Sequence, residues 1–221
     1  MKAAREGPAP ERDTVVVHLL MYGGLRISEL LGLADDAVIF PKGARGGRLE
    51  VRERLCSVHV TLGPVKTKTG LRDVPLGPGA AGAVKAWRLA RGPSVPILVD
   101  GARKVGRLLP APPGLPFGTL WGYHDFRREL WLPLMQRAGL AQLRSDKKGK
   151  KRRVPAFSPH TLRHVYASLA IESGVTPKRL QALMGHATLA MTMDLYGHLW
   201  SDPDGDQALA EAAERAISKF L

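Results

Sequence analysis

The sequence is poor in cysteine and has no long apolar run. Cys56 is the single cysteine among 221 residues, so no second thiol is present for an internal disulfide or for a cysteine-based zinc site. No stretch of eighteen apolar residues occurs, and residues 1–13 lack the apolar segment of a signal peptide. These absences exclude zinc-finger and membrane-spanning classes and predict a soluble, cytosolic protein with a flexible amino terminus over residues 1–13.

Acidic residues are also scarce relative to basic ones. Lysine and arginine number 33 against 20 aspartates and glutamates, which gives a formal net charge of +13. With 44% hydrophobic residues the composition is that of a folded globular protein. The excess positive charge therefore indicates a polyanionic partner, with nucleic acid ahead of an anionic membrane surface.

The first part of the chain predicts helices followed by a small sheet. Two apolar segments, residues 14–22 and 25–33, flank Gly23 and Gly24, which places Arg26 at a joint between two buried helices. Residues 37–76 have a strand-like pattern and predict a small antiparallel sheet. Within it, residues 66–72 predict a hairpin tip that carries two lysines.

The second part is mainly helical, apart from one basic run. Residues 144–153 carry seven positive charges and one negative charge, and this density predicts a solvated loop that orders against phosphate. Helices are predicted to start at Ser158-Pro159, Thr176-Pro177 and Thr188, with the two threonine side chains as N-caps. A final amphipathic helix over residues 206–220 is predicted to pack either on its own domain or on a neighbouring copy.

A small set of polar residues in the last third suggests chemistry on an anion. His160 and Arg163 share a helix face at i and i+3, followed by His186 and, ten residues later, by Tyr196. Guanidinium groups bind phosphate oxygens, and a tyrosine hydroxyl can act as a nucleophile. Because a free tyrosine has a pKa of about 10, we expect nearby arginines to lower the pKa of this hydroxyl.

Four sequence blocks resemble the tyrosine recombinase, or phage integrase, family. They are Gly24-Leu-Arg-Ile-Ser-Glu-Leu30, Lys66-Thr-Lys-Thr-Gly-Leu-Arg-Asp-Val-Pro-Leu76, Pro159-His-Thr-Leu-Arg-His164, and Leu183-Met-Gly-His186 continuing through Thr192-Met-Asp-Leu-Tyr-Gly-His198. The blocks occur in the order typical of the family. The resemblance implies an α+β, mostly helical catalytic domain over residues 14–221, with a small antiparallel sheet and a hairpin.

The same resemblance implies an enzyme that cleaves and rejoins DNA strands through a 3'-phosphotyrosyl intermediate, in DNA integration or excision. Tyr196 corresponds to the nucleophile, and the other catalytic residues implied are Arg26, Lys66, His160, Arg163 and His186. The two arginines would clamp the scissile phosphate, and the hairpin lysine would protonate the leaving 5' oxygen. Lys68 fits a second register of that lysine, so this assignment stays open. Glu29 and His164 match positions expected to support the fold.

The implied partner is double-stranded DNA, bound by a homo-oligomer of a bacterial or phage-encoded protein in the cytoplasm, at the nucleoid. No metal, nucleotide cofactor or membrane is expected to take part. Basic side chains of the hairpin and of the basic run are predicted to contact DNA phosphates. These residues are Lys68, Arg72, Lys147, Lys148, Lys150, Lys151, Arg152 and Arg153.

Other functions and one departure from the family stay under consideration. A type IB topoisomerase uses similar residues to relax DNA, and a non-catalytic DNA-binding module would also explain the charge. A metal-dependent nuclease ranks last, because clustered carboxylates lie far in sequence from the histidines. The family's amino-terminal core-binding domain is expected to be absent, since few residues precede Arg26; the chain is then either an excised domain or a shortened member.

Overall fold

The amino terminus packs onto the body of the protein. The computed structural model describes residues 1–56, 60–99, 101–112, 119–145 and 149–200, together with residues 210, 211 and 215. Helix α1 (Lys2–Arg5) buries Ala4. Asp13, fully buried in α2 (Pro10–Tyr22), accepts a hydrogen bond of 2.5 Å from Arg137, whose Nε also donates to the carbonyl of Ala3. These contacts connect the amino-terminal segment to Arg137, and the flexibility of residues 1–13 stays a prediction.

A glycine joint connects α2 to the short helix α3 (Ile27–Gly32). Gly24 has φ +56°, and a Cβ at this position would collide with the ring of Tyr166. This turn sets Arg26 at the N-cap of α3 with extended backbone. The joint predicted from the two glycines is thus the element that positions Arg26.

Two small antiparallel sheets follow α3. Strands β1 (Val38–Ile39), β2 (Gly47–Val51) and β5 (Arg72–Leu76) form one sheet in the order β1-β2-β5. Strands β3 (Glu53–Cys56) and β4 (Thr61–Pro64) pair separately. The residues between β4 and β5 therefore do not form the predicted hairpin tip, because the two flanking strands belong to different sheets. They form a connecting loop with a 3₁₀ turn at Lys68–Gly70.

The middle of the chain covers this layer with helices. Helix α4 (Pro78–Arg91) packs against α2, and a short hairpin follows in β6 (Ile97–Val99) and β7 (Ala102–Lys104). Helix α5 (Tyr123–Phe126) continues through a π-helical turn (Arg127–Trp131) into α6 (Leu132–Arg137). Pro133 lies in the first turn of α6, directly after the π-helical turn.

Residues 144, 145 and 151–153 of the basic run lie in two paired strands where a loop was predicted. Strand β8 (Ala141–Ser145) pairs with β9 (Lys151–Pro155), and Arg144 lies opposite Arg152. Like charges opposite each other on a two-stranded ribbon repel. The loop was predicted because charged side chains favour contact with water. The main-chain hydrogen bonds between the two strands outweigh this preference.

The last third consists of three helices with the predicted starting points. They are α7 (Pro159–Glu172), α8 (Pro177–Met184) and α9 (Leu189–Tyr196). The hydroxyls of Thr176 and Thr188 accept the amide hydrogens of Arg179 and Met191, which caps α8 and α9. Residues 206–220, predicted as a tail helix, lie outside the described residues except for 210, 211 and 215, which are helical.

The described residues form two apolar clusters, and Tyr196 of the candidate site belongs to the smaller one. The larger cluster joins α2, α3, the sheets and α6, while the smaller one contains Ala167, Ile171, Leu180, Met184 and Tyr196 from α7, α8 and α9. The predicted α+β, mostly helical class is confirmed. Within the part of the chain that the structure describes, no helix has the length and apolar character needed to cross a membrane.

Candidate active site

A buried carboxylate gathers the arginines of the site. Glu29 is 2% exposed and accepts hydrogen bonds from Arg72 Nη1 at 3.0 Å and Nη2 at 2.8 Å. It also accepts from the Arg26 amide and Arg26 Nη1, each at 2.8 Å. Because Arg26 and Glu29 lie three residues apart at the start of α3, they form a capping box that fixes the Arg26 backbone.

The charge of Glu29 is maintained by these arginines. Burial alone would raise the pKa of this carboxyl, but the hydrogen bond and charge of Arg72, together with Arg26, lower the pKa to about 2. Arg26 Nη2 donates to the carbonyl of Gly185 at 3.0 Å, and Arg72 Nε donates to the carbonyl of Leu183 at 2.7 Å. The two guanidinium groups therefore tie α3 to the end of α8.

Arg163 is buried, in contrast to the half-exposed Arg26. Its side chain is 1% exposed, and its Nη1 and Nη2 groups donate to the carbonyls of Gly24 and Met184. Burial and the charge of Arg26 lower the pKa of Arg163 to about 9, which leaves it charged at neutral pH, and Glu29 acts in the opposite direction. The predicted pair of arginines thus meets at one carboxylate, but Arg163 points to main-chain carbonyls and away from solvent.

His186 is held in one orientation by α9. Gly185 ends α8 in the left-handed conformation, with φ +62°, and a Cβ there would lie 2.9 Å from Arg72 Nη1. The following His186 is 4% exposed, and its Nδ1 lies 2.9 Å from the Thr192 hydroxyl. Burial, followed by the charges of Arg163 and Arg26, lowers the pKa of His186 to about 4. A neutral ring that accepts the Thr192 proton at Nδ1 carries its own proton on Nε2, where it can donate to an anion.

Tyr196 ends α9 and is also buried, with 4% exposure. Its hydroxyl lies 2.7 Å from Nδ1 of His164, and its ring stacks parallel to His186 at 6.4 Å between centroids. Burial raises the pKa of Tyr196, and the opposing charge of Arg163 does not reverse this. Arg163 acts in the expected direction and lowers this pKa, but desolvation of the phenolate outweighs the attraction of a guanidinium that is engaged elsewhere, so the pKa is raised.

His160 lies at the exposed edge of the same group. It precedes His164 by one helical turn, and the two rings meet edge to face at 4.8 Å. Partial burial lowers the pKa of His160, and His164 and the charge of Arg163 act in the same direction. Its ring is thus available to solvent beside the buried tyrosine.

A cavity of about 270 Å³ opens next to Arg26 and is lined by Lys66, Arg54, Gly185 and Met191 among others. Lys66 is one of its wall residues, whereas Lys68 is exposed on the 3₁₀ turn and is not. A larger cavity of about 450 Å³ is lined by none of the predicted catalytic residues. The smaller cavity is the one that combines positive charge with access to Arg26.

The predicted DNA contacts divide into three groups. Arg72 is 7% exposed and pairs with Glu29, so in this structure it organises the interior, and its contact with DNA stays a prediction. Lys147 and Lys148 lie outside the described residues. The remaining residues are exposed, Lys68 on the loop before β5 and the others on or beside strand β9, namely Lys150, Lys151, Arg152 and Arg153.

Sequence reasoning assigned only a supporting function to His164 and passed over Thr192. Both touch the predicted catalytic side chains directly, through Tyr196 and His186. A helical-spacing argument would have found them, because His164 is one turn from His160 and Thr192 is one turn from Tyr196. Among the described residues, no group of three or more metal-binding side chains is close enough to hold an ion.

Comparison with known proteins shows which family the chain is similar to. Residues 124–201 match the model of the phage integrase family. A tyrosine recombinase XerC from Azotobacter vinelandii is 32% identical over 188 residues, which cover 85% of this chain and 48% of the relative. The chain contains a tyrosine recombinase catalytic domain. The transposase of transposon Tn916 from Enterococcus faecalis is 26% identical over 199 residues, 83% of this chain and 42% of that protein.

Solved tyrosine recombinases share the fold. The Tn1549 transposon integrase, solved in complex with circular intermediate DNA, superimposes with a TM-score of 0.70 at 23% identity, over 96% of this chain and 63% of the integrase. The XerA recombinase gives 0.59 at 18% identity, over 96% and 60%. This recombinase domain spans about half the length of the curated relatives that it matches.

Proposed function

We propose that this chain is the catalytic part of a site-specific DNA recombinase that cleaves and rejoins strands through a 3'-phosphotyrosyl intermediate. The observation that carries the proposal is the position of Tyr196. Its hydroxyl is hydrogen-bonded to a histidine, and the ring stacks on His186, which follows the carbonyl bound by Arg26. A nucleophile, a neutral histidine and an arginine are the groups that transfer of a phosphodiester to tyrosine requires, and of these three Arg26 lines the cationic cavity.

In the proposed reaction the scissile phosphate binds at the cavity beside Arg26. Arg26 keeps one guanidinium edge on Glu29 and Gly185, so its orientation is set before DNA arrives. Nε2 of His186 donates to a non-bridging oxygen, and Lys66 on the cavity wall donates a proton to the leaving 5' oxygen. The buried guanidinium of Arg163 supplies positive charge that stabilises the phosphate. Its hydrogen bonds to the carbonyls of Gly24 and Met184 also position these two segments.

The ester bond to tyrosine conserves the energy of the original phosphodiester. Attack forms the bond between the Tyr196 oxygen and phosphorus and breaks the bond between phosphorus and the 5' oxygen. A 5' hydroxyl of a partner strand then reverses both changes on a new 3' end. No external energy source is needed for this exchange, so the proposed function requires no nucleotide cofactor.

The exposed hairpin of β8 and β9 is the proposed phosphate-contacting surface. Arg144, Lys151, Arg152 and Arg153 project from one two-stranded ribbon. Repulsion between these charges is relieved when phosphates lie beside them and counterions leave the DNA. We assign double-stranded DNA as the partner, bound by several copies of the chain, and we place the protein at the bacterial nucleoid, where such DNA lies.

The test is a covalent capture with a pool of nicked duplexes whose sequence around the nick is randomised. The nick lets the released fragment diffuse away, so that an adduct between protein and the 3' end accumulates and survives denaturant. Wild-type protein should form this adduct in the presence of EDTA, and Tyr196→Phe should form none while still binding DNA. Tyr22→Phe is the matched control, because Tyr22 is 43% exposed and should leave adduct formation unchanged.

Two results separate the alternatives. A DNA-binding module without activity gives a mobility shift and no adduct with any member of the pool. A topoisomerase-like enzyme relaxes a supercoiled plasmid of unrelated sequence, whereas a site-specific recombinase selects a subset of the pool. Sequencing of the captured DNA distinguishes these two outcomes.

A further inference from the structure

The residue that contacts the Tyr196 hydroxyl is His164, which the sequence placed among the supporting residues. His164 lies on α7, directly after Arg163, and its Nδ1 is 2.7 Å from the phenolic oxygen, within the normal range for an O–H hydrogen bond. The two ring centroids are 5.7 Å apart with a tilt of 56°. The contact joins α7 to the last residue of α9 and involves the reacting atom itself.

The other two histidines near Tyr196 have different partners. His186 stacks on the tyrosine ring, and its Nδ1 is occupied by the hydroxyl of Thr192 at 2.9 Å. His160 packs its ring edge to face on His164, and it is exposed at the surface of α7. Within the described part of the chain, the hydroxyl of Tyr196 therefore has a hydrogen-bonding partner in His164 and in neither of these rings.

The charged groups around the tyrosine are poor proton acceptors. Arg163 is a cation, and the carboxylate of Glu29 is saturated by hydrogen bonds from Arg26 and Arg72. Burial raises the pKa of Tyr196, so the hydroxyl is protonated at neutral pH. Attack on phosphorus must then move this proton to a neighbouring base.

We propose that His164 accepts the proton of Tyr196 as the hydroxyl attacks the scissile phosphate. The bond between the phenolic oxygen and phosphorus forms, the phenolic proton passes to Nδ1 of His164, and the bond between phosphorus and the 5' oxygen breaks as Lys66 protonates that oxygen. When the strand is rejoined, His164 returns the proton to the tyrosine. The inference rests on the proposed recombinase function and adds a base that touches the nucleophile.

Substitution by asparagine isolates proton transfer from positioning. The amide of His164→Asn places an oxygen or nitrogen near the position of Nδ1, so it preserves a hydrogen bond to Tyr196, but it does not take up a proton. The rate of adduct formation should fall roughly 100- to 10,000-fold, the range typical of a lost general base. His124→Asn is the control, because the His124 side chain is 87% exposed and lies on α5.

The measurement is the single-turnover rate of adduct formation as a function of pH, on a nicked duplex recovered from the randomised pool. The leaving 5' oxygen of this duplex is replaced by sulfur, so that the leaving group needs no acid and only the base is tested. Wild type should reach a plateau, whereas the rate of His164→Asn should rise about tenfold per pH unit, because only ionised tyrosine reacts. The ionisable side chains that pack against the His164 ring are His160 on α7 and Tyr196 on α9. His160→Asn is therefore measured in parallel.

The outcomes are decisive in both directions. If His164→Asn keeps the wild-type rate and plateau while His160→Asn acquires the steep pH dependence, His160 is the base and the proposal is overturned. If the asparagine variant does not fold, ¹⁵N-NMR of the wild-type protein determines which ring nitrogen of His164 carries the proton. A proton on Nδ1 of the neutral His164 ring contradicts its function as proton acceptor. If wild type forms no adduct with any duplex, the recombinase function fails together with this inference; a wild-type adduct with an unaffected His164→Asn refutes the inference alone.

Discussion

Replacing Glu29 with glutamine should destabilise the protein by about 3 kcal/mol at pH 7. The pKa of this carboxyl falls from 4.5 to about 2, and each pH unit corresponds to about 1.4 kcal/mol between the two protonation states. The group is 2% exposed, so solvent screens these interactions little. Removing one partner of a buried ion pair costs about 3–5 kcal/mol, because the remaining charge, here Arg72, stays buried without compensation.

The loss of stability in Glu29→Gln should depend on pH in a definite direction. A carboxyl whose pKa is depressed by folding contributes its full stabilisation above pH 4.5, and this contribution is lost as the pH falls toward 2. The stability difference between wild type and Glu29→Gln should therefore be largest at neutral pH and should narrow below pH 4.5. In a domain of this size the difference at pH 7 corresponds to a loss of roughly 6–12 °C in Tm.

Urea denaturation of both proteins between pH 2 and pH 7 measures this difference directly. Glu6→Gln serves as the control, because Glu6 is 56% exposed and faces Lys2 at 3.9 Å, so the change should stay within about 0.5 kcal/mol. A Glu29→Gln protein as stable as wild type at pH 7, or a difference that does not narrow in acid, would refute the reasoning.

Three further predictions concern the joint, a histidine and the basic hairpin. Gly24→Ala should lower Tm more than Gly43→Ala, since both glycines have positive φ but only the Cβ at Gly24 meets the ring of Tyr166; equal losses in a thermal melt would contradict the close approach. The pKa of His186 falls from 6.5 to about 4 on folding, so part of the free energy of unfolding is lost as the pH falls through this interval. His186→Gln should not lose this part, so its urea midpoint should depend less on pH than that of wild type; equal pH dependence of the two midpoints would contradict the prediction. Arg153→Gln should reduce the log-log salt slope of DNA binding by about 0.9 if its side chain neutralises one phosphate, and an unchanged slope would remove it from the interface.

Local signals in the last third of the sequence were sufficient to predict its helices. Thr176 and Thr188 were predicted as N-caps and accept the expected amide hydrogens, and Gly185 ends α8 in the left-handed conformation. Gly24 was likewise predicted as part of a joint. These features depend on side chains within four residues of the position they determine, so they can be recognised in the sequence alone.

Long-range pairing was not predictable from the same signals. The residues around Lys66 lie between strands of different sheets, because β5 pairs with β2 and β4 pairs with β3. The basic run was predicted as a loop from its charge, but its residues 144, 145 and 151–153 lie in the paired strands β8 and β9. The choice of strand partner depends on contacts far apart in sequence, which charge density and turn residues do not encode.

Burial was the second source of error within the site. In the sequence, Arg72 and Arg163 cannot be told apart from arginines at the surface. In the structure both are buried, Arg72 against Glu29 and Arg163 against main-chain carbonyls. Burial also reverses the expected direction for the pKa of Tyr196. Sequence motifs identified which residues come together, while their exposure and hydrogen-bond partners required the folded chain.

Chemical identification of the DNA-linked residue is the most direct test of the central claim. The adduct from the randomised nicked duplexes is digested with nuclease and trypsin, and the nucleotide-bearing peptide is sequenced by mass spectrometry. We predict a 3'-phosphate ester on the peptide that contains Tyr196 at the end of α9. A nucleotide attached to any other residue, or cleaved DNA without attached protein, would contradict the assignment of Tyr196 as the nucleophile.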